Sequence, residues 1–205
     1  LHILLAFPNT YFADLNAKGK LNNLESVTNE VKLMMDPSAD PFAAPANPEA
    51  VPAKFGASDV QDLNWVQLLN AYSCTECGRC TSSCPANQTG KKLSPRKIMM
   101  DTRDRLEEVG RNIDLNKGVF VDDGKSLLND YITSEELWAC TTCNACVEEC
   151  PINISPLSII IDMRRYLVME QSAAPMELNN MMSNIENNGA PWPYNQMDRL
   201  NWVNE

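Results

Sequence analysis

The sequence is poor in glycine, aromatic residues and positive charge, and it has a single histidine. Of its 205 residues, 8 are glycine and 7% are aromatic, and 17 Lys and Arg stand against 27 Asp and Glu. The net charge of −10 excludes a general affinity for nucleic acid or for anionic lipid. Sparse glycine with plentiful Leu, Met, Asn and Glu favours helix over sheet. No apolar run reaches the roughly 20 residues of a membrane span.

The eight cysteines form two runs of identical spacing, and no cysteine lies outside them. Each run reads Cys-x2-Cys-x2-Cys-x3-Cys-Pro. The first consists of Cys74, Cys77, Cys80 and Cys84 before Pro85, and the second of Cys140, Cys143, Cys146 and Cys150 before Pro151. Bacterial two-cluster ferredoxins use this spacing to hold [4Fe–4S] clusters. The proline fixes φ and removes a backbone donor, so the chain turns away and the fourth sulfur can point at a different cluster.

In two-cluster ferredoxins the fourth cysteine of each run ligates the other cluster. We therefore predict two [4Fe–4S] clusters with crossed ligands, which would bring the two runs together. One cluster would be held by Cys74, Cys77, Cys80 and Cys150. Its partner would be held by Cys140, Cys143, Cys146 and Cys84.

Disulfides and zinc sites are the alternatives for eight cysteines. Disulfides suit small secreted domains, whereas this chain has a sizeable apolar fraction and we expect no signal peptide. Zinc ribbons separate their Cys-x2-Cys pairs by longer loops and do not need the duplicated third and fourth cysteines with proline. A structural or regulatory protein based on zinc or thiols is the alternative function, and a subunit acting directly on a thiol or quinone is a further one.

The two halves repeat behind their cysteine runs. The matching residues are Ser94, Pro95, Ile98, Asp101 and Arg103 in the first half and Ser155, Pro156, Ile159, Asp162 and Arg164 in the second. Serine followed by proline is a good helix start. Each half therefore reads helix, cysteine loop, capped helix, and we predict an all-α fold with two pseudo-repeated units around two clusters.

Composition divides the chain into four parts. Residues 1–35 form an N-terminal arm that begins with seven mostly apolar residues and could be the end of a membrane domain. Residues 36–57 are a Pro/Ala-rich linker, residues 58–170 the cluster domain, and residues 171–205 a helix with an aromatic docking tail. His2 could ligate a haem in a preceding membrane helix or could be an interfacial residue.

Two surfaces are candidates for partner docking. Basic residues follow the first run, and Lys91, Lys92, Arg96 and Lys97 are either a solvated face or a rim for an acidic redox partner. Trp192, Tyr194 and Trp202 lie in the proline-containing tail, as a strap over the core or a docking surface; we favour docking, because aromatic anchors dominate interface energy.

With both runs in view, residues 58–170 resemble the α-helical ferredoxin module found in the iron–sulfur subunits of heterodisulfide reductase and of glycolate oxidase. The eight cysteines, Pro85, Pro151 and the capped helices at Ser94 and Ser155 carry the resemblance. The chain is similar above all to bacterial heterodisulfide-reductase-related proteins, in which a membrane domain like the haem-b subunit of nitrate reductase precedes the module.

The resemblance implies an electron-transfer module at the cytoplasmic side of a bacterial inner membrane. Single electrons would pass between a membrane or quinone side and a separate catalytic subunit with a Cys-Cys-Gly domain. This chain departs from relatives that carry that domain, because no cysteine is left over for it. No catalytic base, nucleophile or open metal position is evident, so substrate turnover is expected elsewhere.

Overall fold

The computed structural model describes residues 2–12, 21–36 and 54–203. Most of the predicted linker, residues 37–53, lies outside this described part. The chain divides into two compact units, Leu1–Glu170 and Gln171–Glu205. The described residues contain helices and turns but no β-strand, which confirms the all-α prediction.

The first unit contains nine helices in its described residues. They are α1 (His2–Phe12), α2 (Glu25–Met35), α3 (Trp65–Ser73), α4 (Arg79–Ser82), α5 (Pro85–Gln88), α6 (Pro95–Leu115), α7 (Ser134–Trp138), α8 (Ala145–Glu148) and α9 (Pro156–Met169). A 3-10 turn at Val60–Asp62 precedes α3, and a kinked turn at Leu127–Tyr131 precedes α7. The second unit contains α10 (Met176–Asn188) and a 3-10 segment, Gln196–Val203.

Local capping chemistry starts the helices that follow the cysteine runs. The Ser94 hydroxyl accepts a hydrogen bond from the Lys97 amide at the start of α6. Ser155 does the same for Ser158 at the start of α9. A serine cap with proline in the first turn satisfies one free amide and removes another, so both predicted starts are confirmed.

Two helix boundaries differ from the sequence prediction. Ser58 with Gln61 three residues later is the pattern of a capping box and predicts one helix that begins at Ser58. Instead, Asp59 caps only a short 3-10 turn, and a second capping box, formed by Asn64 and Gln67, starts α3. Gly110 predicts the end of α6, but the helix continues to Leu115. An added Cβ at Gly110 would meet nothing within 4 Å, so this glycine is an ordinary helical position rather than a cap.

The core lies between α3, α6 and α9, with α1 packed against α3. Its most deeply buried side chains come from both repeats, namely Ile98, Met99, Leu127, Ile132, Leu137, Ile159, Ile160 and Met163. Arg105 is also completely buried. Its guanidinium pairs with Asp59 at 2.8 Å and with Asp123 at 2.5 Å, and donates to the Lys125 carbonyl, so the loop before α7 is held against α6.

The second unit exposes much of its apolar surface. The sequence predicts a helix from Pro175 to Asn188 that Gly189 ends, and α10 does end there, with Gly189 in the left-handed conformation. The spacing of Leu178, Met181, Met182 and Ile185 predicts an inward apolar helix face, but Met182 and Ile185 are 47% and 48% exposed within the chain. Trp192, Tyr194 and Trp202 are also exposed, which leaves the tail aromatics accessible.

Candidate functional site

The first loop (residues 74–84) and the second loop (residues 140–150) follow the same backbone path. In each loop the residues before and after the second cysteine adopt positive φ: Glu76 and Gly78 in the first, Thr142 and Asn144 in the second. A one-turn helix follows in each, α4 after Gly78 and α8 after Asn144. These paired left-handed residues curl the chain, so three cysteine side chains converge on one side of each loop.

Matched hydrogen bonds close both loops. The Thr81 amide donates to the Gly78 carbonyl at 3.1 Å, and the Val147 amide donates to the Asn144 carbonyl at 3.0 Å. Just before the fourth cysteine the pattern repeats, from Cys84 to Thr81 and from Cys150 to Val147. The internal duplication therefore extends to individual backbone contacts.

Two cavities lie inside these loops, and each is bordered by cysteines of both. The first cavity, about 430 Å³ of empty space including its open mouth, is lined by Cys74, Cys77, Cys80 and Cys150, with Cys146 also at its edge. The second cavity, about 320 Å³, is lined by Cys84, Cys140, Cys143 and Cys146. The fourth cysteine of each run thus lines the cavity enclosed by the other run.

The walls and donors of the cavities fit thiolate-ligated inorganic clusters. The apolar residues that line the first cavity include Met99, Ile154 and Pro156, and those that line the second include Leu93, Leu157 and Ile160. Neither lining includes a carboxylate or an imidazole, so sulfur is the only strong ligand type present. Soft thiolate donors select iron–sulfur clusters, zinc or copper(I) rather than magnesium or calcium. In the described part of the chain, no three Cys, His, Asp or Glu side chains converge tightly enough for one ion.

Backbone amides point at the sulfurs. The Thr142 amide lies 3.4 Å from Cys140 Sγ, and the Ile154 amide lies 3.3 Å from Cys150 Sγ. Hydrogen bonds to cluster sulfurs are one of the factors that set iron–sulfur reduction potentials. One such donor is therefore in place at each cavity.

Burial favours the protonated form of several of these cysteine thiols. It raises the pKa of Cys74, Cys80 and Cys140, and it raises the pKa of Cys146 to about 12, helped by the neighbouring cysteines. Metal ligation needs thiolates, so a bound cation must displace these protons. Cys77 and Cys143 are the exposed members of the two sets.

The surroundings of the two cavities differ in charge. Arg79 and Arg96 line the first cavity, and Arg96 Nη1 lies 3.9 Å from the position that a Cβ on Gly78 would take. Arg103 pairs with Glu76 of the first loop at 2.7 Å. The lining of the second cavity includes no charged residue apart from its cysteines.

Arg164 supports the second loop from behind. Its guanidinium donates to the carbonyls of Leu137 and Cys140, at 2.6 and 2.5 Å, and lies 4.9 Å from the centre of the Trp138 ring. Partial burial lowers the pKa of this guanidinium. Arg103 occupies the same offset in the first repeat, but it pairs with a carboxylate instead, so the duplicated sequence carries two different contacts.

Helix α1 contacts the backbone next to Cys74 and Cys150, two of the cysteines that line the first cavity. His2 Nδ1 lies 2.7 Å from the Tyr72 carbonyl, which can only accept, so Nδ1 carries the proton. The Ser73 hydroxyl donates to the Leu5 carbonyl, and the Asn9 side chain donates to the Ile152 carbonyl at 2.9 Å. These contacts hold backbone within two residues of Cys74 and of Cys150.

Sequence reasoning missed the roles of Arg164, Arg105 and Asn9. A signal existed for Arg164, because it matches Arg103 in the repeat, but the repeat does not reveal its carbonyl partners. Of the predicted basic rim, Lys97 is engaged with Asp101 and Glu136, and Lys92 pairs with Glu135. Arg79, which the rim prediction did not include, lines the cavity beside Arg96.

Comparison with known proteins follows this geometry. The family model for the 4Fe-4S dicluster domain matches residues 73–154, which contain both loops. A Bacillus subtilis protein described as a probable iron–sulfur-binding oxidoreductase, FadF, is 32% identical over all of this chain and 30% of its own length.

Two further relatives extend this similarity. A probable membrane-anchored ferredoxin of Chromohalobacter salexigens is 33% identical over 74% of this chain and 24% of its own length. One subunit of a CoB-CoM heterodisulfide reductase dependent on ferredoxin or F420H2, from Methanosarcina acetivorans, is 35% identical over 52% of each chain. This chain spans less than a third of the first two relatives. Within its described residues, no helix is both long and apolar enough to cross a membrane.

Proposed function

We propose that this chain, whose homologues include heterodisulfide reductase subunits and FadF-like iron–sulfur oxidoreductases, is an electron-relay module. Two [4Fe–4S] clusters would supply one-electron redox chemistry when bound. Oxidation or reduction of the final substrate would take place on another subunit or domain. The observation that carries the proposal is the pair of cysteine-lined cavities with a sulfur exchanged between the loops.

The proposed ligands follow the cavity linings. Cys74, Cys77, Cys80 and Cys150 would hold the first-cavity cluster, and Cys140, Cys143, Cys146 and Cys84 would hold the second-cavity cluster. Cys146 borders both cavities, but Cys140 and Cys143 of the same loop line only the second, and we assign Cys146 with them. Pro85 and Pro151 would set the turns that direct the fourth sulfur of each run across to the other cavity.

The chain's own groups would bind and shield the clusters. Apolar walls restrict water, and the amides of Thr142 and Ile154 would stabilise the charge on coordinating sulfur. A zinc or thiol protein is the alternative, and the donor chemistry alone admits it. The similarity to iron–sulfur proteins at both loops favours clusters.

The partners proposed for the relay are a catalytic subunit with a Cys-Cys-Gly domain and a membrane domain. Similarity to heterodisulfide reductase subunits supports the first. The membrane-anchored relative and the outer face of α1 support the second, since Ile3, Leu4 and Phe7 are each more than 70% exposed. We place the module on the cytoplasmic side of the bacterial inner membrane.

The most detailed part of the proposal is that the membrane domain contains a haem b. His2 is positioned for a role at this boundary, because Nδ1 is occupied by the Tyr72 carbonyl and a neutral ring keeps its Nε2 lone pair. The same hydrogen bond also suits a purely interfacial histidine. Haem spectra of membranes carrying His2→Ala would separate the two roles.

Metal analysis of anaerobically purified protein tests the relay function. We expect a brown protein with about eight irons and eight acid-labile sulfides per chain, whose colour bleaches with dithionite. Electron paramagnetic resonance of the reduced protein should show two interacting clusters. A colourless protein containing zinc would overturn the proposal in favour of the structural alternative.

A further inference from the structure

An electron relay needs an exposed edge where a partner's redox centre can approach, and the two loops offer one edge each. Cys77 is the exposed ligand-type cysteine of the first loop, and Cys143 is that of the second. The two edges differ in charge. Arg79 and Arg96, both exposed, lie at the first, whereas Thr141, Thr142 and Asn144 surround the second.

Of the 15 Lys and Arg side chains in the described residues, eight form ion pairs with Asp or Glu, and Arg79 and Arg96 are among those that do not. Ion pairs with Asp or Glu occupy Lys54, Lys92, Lys97, Arg103, Arg105, Arg111, Lys125 and Arg165. Arg79 and Arg96 have no acidic partner in the described residues. Glu76, the acidic side chain of the same loop, is taken by Arg103. Two unpaired guanidinium groups therefore flank the exposed edge of the first cavity.

From this contrast we propose that the first-loop edge, defined by Arg79, Arg96 and Cys77, docks an acidic one-electron carrier protein. The inference rests on the proposed relay function and adds which of the two edges exchanges electrons with that carrier. Guanidinium groups suit the role, because they pair carboxylates through two parallel hydrogen bonds. Local positive charge at the edge of an otherwise anionic protein would steer an acidic carrier to this one place.

The experiment measures electron transfer from a reduced acidic flavodoxin to the oxidised protein by stopped flow, at increasing ionic strength. For the wild type we expect a second-order rate constant that falls with salt, because screening removes the attraction. The double variant Arg79→Gln/Arg96→Gln should be about tenfold slower at low salt and should lose this salt dependence.

The matched control is Arg111→Gln/Lys117→Gln, which changes the net charge by the same two units. Its first site lies 15 residues along α6 from Arg96, roughly 22 Å at the helical rise. The control should keep the wild-type rate and its salt dependence. If both double variants slow equally, net charge alone governs the encounter and the docking proposal fails.

One further measurement on the wild type and one on the double variant also decide the proposal. Ferricyanide oxidation of the reduced wild type should slow with added salt if the local arginines dominate, and should accelerate if the net charge of −10 dominates. The second result would overturn the proposal. So would a double variant that keeps its flavodoxin rate but loses binding to vesicles of phosphatidylglycerol, which would assign the edge to a membrane surface.

Iron and sulfide content, measured before any kinetics, separates this proposal from the relay function. A wild type without iron defeats the relay function itself. Iron-replete wild type and variants with identical kinetics defeat only the docking edge.

Discussion

The first and second loops run through the same turns, with positive φ at the same two offsets and the same closing hydrogen bonds. Their neighbours differ. The exposed Arg79 and Arg96 line the first cavity, and α1 lies near it, whereas the polar residues that line the second cavity are the neutral Thr141 and Asn144, and Arg164 donates to the Cys140 carbonyl. The comparison separates what binding a cluster requires, which is shared, from what a cluster's surroundings add, which is specific to each half.

The largest expected effect breaks the crossed arrangement. Cys84→Ala should remove the second-cavity cluster and leave the first, while Cys150→Ala should do the reverse. The reason is that each of these cysteines lines the cavity of the other loop. Iron content and site-resolved electron paramagnetic resonance measure the result. Loss of only the first-cavity cluster in Cys84→Ala would contradict the crossed assignment.

The next effect concerns a buried cation that one repeat has and the other lacks. Arg105 has no exposed side-chain surface and pairs with Asp59 and Asp123, whereas Tyr166 occupies its offset in the second repeat. Arg105→Ala should lower the free energy of unfolding by about 3 kcal/mol, because the fully buried guanidinium and its ion pairs with Asp59 and Asp123 are lost, while Asp123 remains in contact with water. Urea denaturation measures this loss.

Arg111→Ala is the matched control for that variant, because Arg111 is an exposed arginine on the same helix, paired with Glu107. It should cost less than about 1 kcal/mol. Equal losses in the two variants would mean that the buried network does not stabilise the fold.

Replacing the two matched arginines should affect one cluster each. Arg164→Gln removes a cation that donates to the Cys140 carbonyl, so the second-cavity cluster should become harder to reduce. Arg103→Gln should change the first-cavity cluster less, since Glu76 already neutralises that arginine. Redox titration followed by electron paramagnetic resonance gives both potentials. A larger shift in Arg103→Gln would reverse this view of the two halves.

The left-handed residue that follows the second cysteine of each loop allows a comparison of two substitutions with smaller expected effects. Gly78 has φ of 80°, and its counterpart Asn144 has φ of 63°. Gly78→Ala should cost about 1–2 kcal/mol of unfolding free energy, because a Cβ disfavours this conformation. Gly78→Asn, which copies the second loop, should cost less, since asparagine tolerates positive φ. Thermal unfolding ranks the two, and an equal cost for both would dismiss the conformational explanation.

The smallest effect is the acid response of the loop held by Arg105. Hydrogen bonds from Arg105 hold the pKa of Asp123 below its ordinary value. A lowered folded pKa adds stability above the unfolded value of about 3.9, and this stability is lost as pH falls toward the folded value. Wild type should therefore lose more stability between pH 5 and pH 3 than Asp123→Asn. Parallel urea midpoints for the two proteins across that range would contradict this.

Short-range chemistry made much of the fold and of the candidate site predictable. Cysteines of both runs line each cavity, and the assignment of four cysteines to each cluster, made from their spacing, stays a prediction. The serine caps at Ser94 and Ser155 formed as expected. Thr133 with Glu136 three residues later predicts a capping box at the start of α7, and the structure has it, since each of these caps depends on residues three apart.

The remainder depends on contacts between distant residues, which periodicity does not encode. Asn9 reaches the Ile152 carbonyl, and Arg164 reaches carbonyls more than 20 residues earlier. Nothing local distinguishes Arg164 from Arg103, because their partners are set by how α7 and α9 pack. The prediction that α6 ends at Gly110 was wrong for a different reason. Glycine is common just after a helix, but here the helix continues through it.

Because Cys150 lines the first cavity and Cys84 lines the second, each repeat contributes one side of the other repeat's cavity. A protease that nicked the exposed segment 117–124 would cut the covalent link between the repeats, yet the two fragments would still share both cavities. The two proposed clusters, if bound with crossed ligands, would then hold the fragments together. An iron chelator should then separate the two fragments. Oxidative loss of one cluster should weaken the binding of the other.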